Sequence, residues 1–236
     1  MSRVEVIILA GGRGSRLKSV VDNIPKPMAS IRGKPFLEYL LKHVSKFNVR
    51  KIVFCLSYKH EAVSRHFGNR YADIEICYSI ADKPLGTGGA AKKGLCQCSD
   101  KHVVLINGDT FYNINLDDFF SFHVLHNSDI TMSLKPMKQF SRYGSVEVDG
   151  HRVTNFREKQ FQDYGLINGG WYVIGSEVFS KHDMQGFFSF ERDLLENRSI
   201  ALNIYAKIFK ENFIDIGVPE DFKMAQECLP RWCQEF

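Results

Sequence analysis

The chain has 236 residues, 44% of them hydrophobic and 25% charged, and carries a formal net charge of +4. A charge this mild, without a Lys/Arg block or a basic tail, falls short of a nucleic-acid-binding signature, and no run is apolar enough to read as a membrane span. The first residues lack the basic, apolar and small-residue regions of a secretory signal, so a cytoplasmic protein is expected. This length suits one large α/β domain with a small lobe.

Residues 4–9 form an apolar run that reads as a buried first strand. It feeds Leu9-Ala10-Gly11-Gly12-Arg13-Gly14-Ser15-Arg16-Leu17, with Pro25-Lys26-Pro27 just behind. Apolar residues at helical spacing predict a helix over 35–47. A strand follows at 51–56, a short helix at 61–67 and a strand at 74–78. Pro84-Leu85-Gly86-Thr87-Gly88-Gly89-Ala90 is a second glycine-rich turn opening a helix that runs to about 95. A fourth strand at 102–106 runs into Asn107-Gly108-Asp109, followed by a helix at 116–126 and a strand at 129–134. The pattern then changes to strands with little helix between them: 143–148, a turn at Asp149-Gly150, 152–158, and about 165–174. Ser189 caps a helix running to about 197, strands follow at 200–206 and 212–214, and Pro219 opens a last helix to 228. The first half is therefore βαβ-like and the second half inserts antiparallel pieces.

A glycine-rich loop leaving a parallel strand is where α/β proteins hold phosphate-bearing ligands. Gly11, Gly12 and Gly14 allow a sharp turn and close approach to an anion, with Arg13, Arg16, Lys18 and Lys26 adding positive charge. No Gly-Lys-Ser/Thr closes the loop, so it is not a P-loop, and Leu17 stands where a dinucleotide fingerprint needs its third glycine. Gly86-x-Gly88-x-x-Ala91 matches a looser version of that fingerprint but does not come directly off a strand, which argues against NAD. Asp109 and Asp215 each end an apolar strand and together form the minimum protein ligand set for a Mg²⁺ held mainly by phosphates and water. Lys159 suits a phosphate, and Glu158 and Asn168 suit sugar hydroxyls, although Lys159 alone also reads as a solvated charge. Arg142-Tyr143-Gly144 also reads as a plain turn, and Ser189 and Glu191 read as helix-capping residues. The six cysteines include no C-x-x-C pair and read as reduced thiols, and His123 and His126 read as surface histidines.

Taken in order, LAGGRGSRL, PKP, PLGTGGA, NGD, YG, EK, NGG and DIG cover nearly the whole chain and resemble the sugar-1-phosphate nucleotidylyltransferase superfamily. The resemblance implies a three-layer α/β/α fold with a Rossmann-like mixed sheet and a small antiparallel sugar-binding lobe, in one domain. Its nucleotide-binding half would span about 1–135 and its sugar-phosphate-binding half about 136–236. Leu9, Ala10, Gly11, Gly12, Gly14, Leu85, Gly86, Thr87, Gly88 and Asn107 would hold the nucleotide. Arg16 would clamp the triphosphate, with Lys26 near the α-phosphate and Asp109 completing the catalytic set. Asp109 and Asp215 would hold Mg²⁺. Tyr143, Gly144, Glu158, Lys159, Asn168 and Gly169 would meet the sugar phosphate. Phe188-Ser189-Phe190-Glu191 and the stretch from Asp215 to Asp221 look most like the D-glycero-α-D-manno-heptose 1-phosphate guanylyltransferase subgroup. That implies GTP and a sugar 1-phosphate as partners, with no nucleic acid or membrane; monomer and homo-oligomer both stay open. Other hexose-1-phosphate guanylyl, uridylyl or cytidylyl transferases, and a non-catalytic nucleotide-sugar sensor, are the alternatives.

Overall fold

A computed structural model describes residues 3–12, 24–157, 159–180, 184–197 and 200–233. Strand β1 (Val4–Leu9) leads to a short 3₁₀ turn at Lys26–Met28, the hairpin β2 (Ser30–Ile31) and β3 (Lys34–Pro35), and helix α1 (Phe36–Val44). Next come β4 (Val49–Leu56), α2 (His60–Phe67), β5 (Arg70–Tyr71), β6 (Ile74–Ile80) and α3 (Gly86–Leu95). These are followed by β7 (His102–Asn107), β8 (Thr110–Tyr112), α4 (Leu116–Leu125) and the long β9 (Ile130–Phe140). The hairpin β10 (Ser145–Asp149) and β11 (Arg152–Arg157) precedes β12 (Gln162–Gly175), a π-helical turn at Phe190–Leu195, β13 (Ile204–Ile208), β14 (Phe213–Asp215) and α5 (Pro219–Trp232).

Ten of these strands form one mixed sheet in the order β10-β11-β13-β9-β12-β7-β1-β4-β6-β5. β1 pairs in parallel with β4 on one side and β7 on the other, and β12 runs antiparallel to β7. The chain order therefore reverses beside β1, and the crevice beyond the carboxyl ends of β1 and β7 is a topological switch point where open α/β sheets take ligands. The antiparallel pieces continue this same sheet through β12 and β9.

Helices cover both faces of the sheet, which is why its central strands read as unbroken apolar runs. Val6 and Ile8 pack with α1, α2 and α5 in one core, while Ile7 packs with Val53, Leu105 and α3 in the other. Glu5 breaks the pattern: its carboxylate is fully buried, takes backbone N–H bonds from Ser99 and Asp100, and pairs with Arg50 and Lys51. Burial opposes its charge, but these donors outweigh burial and hold its pKa below the usual carboxylate value.

Several expectations are corrected here. β8 is a strand beyond those expected, because three residues carry no periodicity; β14 pairs with it to make it a strand. The strand expected from 200 begins at Ile204, and β9 runs on to Phe140 because β12 pairs with it along that length. The helix capped by Ser189 is a π-turn, with the Ser189 hydroxyl accepting from Arg192 N as expected of a cap. α5 continues past 228 through Pro230. Proline lacks the N–H that the Gln226 carbonyl would receive, and the Arg32 guanidinium donates to that carbonyl instead, at 3.0 Å. His123 is no surface residue: it is fully buried, between Thr131 Oγ1 at 2.8 Å and His102 at 2.9 Å. Burial, and then the neighbouring His102, lower its pKa to about 3.

Candidate active site

The site grows from the carboxyl ends of β1 and β7. Gly108 N donates to Leu9 O at 2.9 Å, and a side chain at Gly108 would meet that same carbonyl at 2.7 Å, so only glycine lets the two strand ends close up. This contact puts Asn107 and Asp109 beside the β1 loop. Asp215 arrives through the two-stranded β8/β14 ladder, in which it pairs with Thr110, while Ile216 N donates to Asp109 O. Buried Trp171 holds β8 in place by donating its indole N–H to Thr110 O. Gly217 leaves room for the Asp215 carboxylate, whose oxygen would lie 3.0 Å from any added Cβ.

Lys26 sits on the 3₁₀ turn between two prolines, which fix its backbone. Its ammonium lies 2.5 Å from Asp109 Oδ2 and 3.5 Å from Asp215 Oδ1, and its side chain is only 11% exposed. Burial, and then the facing Asp109, raise the Asp215 pKa, against the pull of Lys26. Two carboxylates thus converge on a single point that now holds a positive charge. Their hard oxygen donors suit a divalent cation that keeps most of its ligands from water and phosphate. Among the described residues no group of three or more His, Cys, Asp or Glu side chains is arranged to hold a metal ion.

Two cavities open from this point. The first, about 430 Å³, is lined by Leu9, Gly11, Gly12, Leu56, Ser57, Ser79, Ala81, Pro84, Leu85, Gly86, Ala90 and Phe187, and by the buried thiol of Cys55. Its walls are largely apolar, as a base and ribose require. Gly11 lies against Ser57, whose hydroxyl donates to Gly11 O at 2.7 Å, whereas Gly12 has open space around it. Neither has a positive φ, so close approach rather than a left-handed turn is what these two glycines supply.

The second cavity, about 450 Å³, is lined by Tyr143, Gly144, Phe156, Lys159, Asn168, Gly170, Ser189, Glu191, Phe213 and Arg142. It mixes aromatic faces, hydroxyl partners and three cations, Lys26, Arg142 and Lys159, a set suited to a sugar carrying a phosphate. Arg142 pairs with Asp221 and lies over the Tyr143 ring, so it is built into the wall. Asn168 is oriented by Tyr172, donating to its hydroxyl at 2.6 Å, and by Gly170 N, which donates to Asn168 Oδ1. Glu191 accepts from Thr87 Oγ1 at 2.7 Å and Ser189 Oγ at 3.1 Å.

The two cavities share Gly12, Lys26, Thr87, Asn107 and Asp109. Of the residues singled out in the sequence, Leu9, Gly11, Gly12, Lys26, Leu85, Gly86, Thr87, Asn107, Asp109, Tyr143, Gly144, Lys159, Asn168 and Asp215 are brought to a cavity wall. Ala10, Gly88 and Gly169 are not. Gly88 lies against the Phe188 ring, and its N–H donates to Phe188 O; Gly169 lies against Ser133 and Tyr112. Both are glycines for packing. Gly14, Arg16 and Glu158 lie outside the described residues. Sequence reading missed the wall formed by Ser57, Ser79 and Phe187, and it gave Ser189 and Glu191 a capping role alone. Ser189 does both, capping the turn through Arg192 N and lining the cavity, whereas Glu191 lines the cavity and caps no N–H; the alternation of both with buried Phe188 and Phe190 was the available signal.

A βαβ sheet with a phosphate-suited loop at its switch point, an aspartate pair, and two cavities meeting there define a nucleotidyl-transfer fold. Residues 5–230 match the Nucleotidyl transferase family, and the chain belongs to it. It is 44% identical over 229 residues to the D-glycero-α-D-manno-heptose 1-phosphate guanylyltransferase of Aneurinibacillus thermoaerophilus, covering 97% of this chain and 100% of that one. The protein of the same name from Campylobacter jejuni subsp. jejuni is 44% identical over 220 residues, covering 93% and 97%. Among solved structures, HddC from Yersinia pseudotuberculosis complexed with GMP-PN superposes with a TM-score of 0.84 at 36% identity, covering 95% of this chain and 98% of that one.

Proposed function

We propose that this enzyme transfers a guanylyl group from GTP to D-glycero-α-D-manno-heptose 1-phosphate, releasing pyrophosphate and forming the GDP-sugar. The observation that carries the transfer is the junction of two cavities of similar size at Lys26 and Asp109. A two-substrate displacement needs its reacting phosphates held side by side at one point. Guanine and heptose are supported by the names of the two relatives at 44% identity and by the guanine nucleotide in the HddC complex.

In this reading the apolar cavity takes the nucleoside, the loop 9–12 takes the triphosphate, and the second cavity takes the sugar phosphate. A sugar-phosphate oxygen attacks the α-phosphorus in line; the new P–O bond forms as the bond to pyrophosphate breaks. A phosphate monoester is already a nucleophile near neutral pH, so no strong base is required. Lys26 neutralises charge at the reacting phosphorus, and Lys159 holds the sugar phosphate. Asp109 and Asp215 are assigned to hold Mg²⁺, which when bound would neutralise phosphate charge. Arg16, as the triphosphate clamp, and Glu158, on the sugar, are assigned by family resemblance. The chain divides into a nucleotide half near 1–135 and a sugar half near 136–236, with the second cavity drawing residues from both.

Pyrophosphate release over a panel of NTPs and sugar 1-phosphates tests this. GTP with the heptose 1-phosphate should give the highest kcat/KM. Mannose 1-phosphate lacks one exocyclic carbon and should lose roughly 10–200-fold. Turnover confined to UTP or CTP would overturn the base assignment.

A further inference from the structure

We propose that Phe187 is the platform on which the nucleobase stacks, an inference that rests on reading the apolar cavity as the nucleoside site. Several large hydrophobic side chains are left exposed among the described residues, but Phe187, at 64%, is the one of them that lines either cavity. An aromatic ring has no reason to stay wet at a cavity mouth when its neighbours in the same segment are buried. Phe188 and Phe190, which follow it, are 5% and 0% exposed, so the chain leaves the bend at Gly186 with Phe187 turned outward and these two turned inward.

The residues that follow Phe187 are pinned to α3. Phe188 N donates to Leu85 O at 3.0 Å, Gly88 N donates to Phe188 O at 3.0 Å, and Phe190 N donates to Thr87 Oγ1 at 2.9 Å. Gly86 permits this clamp. It has φ +72°, and a Cβ there would lie 2.2 Å from Phe188 O. The segment is therefore clipped to the first turn of α3, and Phe187 is presented beside Pro84, Leu85 and Gly86. The other walls offer aliphatic and small residues such as Leu9, Leu56, Ser57 and Ala81, with the charged and polar side chains of Lys26, Lys93, Asn107 and Asp109. Among the described residues that line this space, Phe187 is the one aromatic ring on which a flat heteroaromatic ligand could stack. Base–aromatic stacking tolerates any base but grows with ring area, so Phe187 supplies affinity and a purine preference, leaving hydrogen bonds to tell guanine from adenine.

The test compares binding of GTP, UTP and inorganic tripolyphosphate by calorimetry for the wild type, Phe187→Ala, Phe187→Leu and Phe187→Trp. Phe187→Ala should weaken GTP about tenfold to a hundredfold, weaken UTP less, and leave tripolyphosphate unchanged. Phe187→Leu keeps apolar bulk without a π-face and should fall between alanine and wild type; Phe187→Trp should bind GTP at least as well as wild type. Equal GTP affinity in wild type and Phe187→Ala overturns the platform, as does equal loss of GTP and tripolyphosphate. A wild type that binds tripolyphosphate but no nucleotide overturns the nucleoside reading of the cavity, and the platform with it.

Discussion

Lys26 Nζ donates to Asp109 Oδ2 at 2.5 Å, joining the turn that follows the β1 loop to the end of β7. The same ammonium reaches Asp215 at 3.5 Å. Without Lys26 two carboxylates would face each other across a partly dry junction, a repulsion that has to be met by a cation of some kind. The lysine and a divalent ion are thus alternative or joint answers to one electrostatic problem.

Asp109→Asn should therefore lower turnover by about a hundredfold or more while leaving the thermal midpoint near wild type, since the side chain packs against a cavity rather than a core. Steady-state kinetics at saturating Mg²⁺, with a melting curve, check both halves. Wild-type kcat would sink the metal assignment.

Lys159 lines the second cavity only. Lys159→Ala should raise KM for the sugar 1-phosphate roughly tenfold, the loss of one charge-assisted contact, and leave KM for GTP in place. A raised KM for GTP with an unchanged sugar KM would mean the two cavities are assigned the wrong way round.

Pro230 and Arg32 make a compensating pair. Arg32 N donates to Gln226 Oε1 at 2.9 Å and Arg32 Nε to Gln226 O at 3.0 Å, docking the β2/β3 turn on α5 where the helix lacks a donor. Pro230→Ala restores that N–H and should stabilise the protein. Arg32→Ala should cost about 1 kcal/mol in the native background and less in the Pro230→Ala background. Urea unfolding of the four chains measures the coupling; strictly additive effects would show that the guanidinium does not stand in for the missing donor.

Stability should fall on acidification through two buried histidines. Burial lowers the pKa of His43 from 6.5 to about 4, and burial followed by His102 lowers that of His123 to about 3. The unfolded chain takes up protons near pH 6.5 that the folded chain refuses, so their stabilisation is complete above pH 6.5 and is lost progressively as pH falls towards 4 and 3. His43 contributes on the order of 3 kcal/mol over that range and His123 roughly 5. His43→Gln, which keeps a donor for Ile114 O, should flatten the drop in melting temperature between pH 7 and 4.5. An unchanged slope would place the acid sensitivity elsewhere.

Much of this was legible in the sequence because it is local. Apolar runs announced β1, β4 and β7, and helical spacing announced α1. The glycine loop, Lys26 between two prolines, and the aspartates at strand ends gave the chemistry and, through their order, the family. What sequence could not supply depends on contacts between distant segments. β8 is a strand because β14 lies against it, and that ladder sets Asp215 beside Asp109. Pro230 ends a helix by local rules, yet α5 continues through it, with Arg32 donating to the carbonyl that Pro230 leaves without a helical partner. Gly88 and Gly169 look like ligand-cradling glycines, but Phe188, Ser133 and Tyr112 fill the space beside them. Local sequence determined which residues can carry charge, turn or bury. Only the tertiary packing decided which of them share a wall, because that choice rests on strand pairing and on close contacts between residues far apart in the chain.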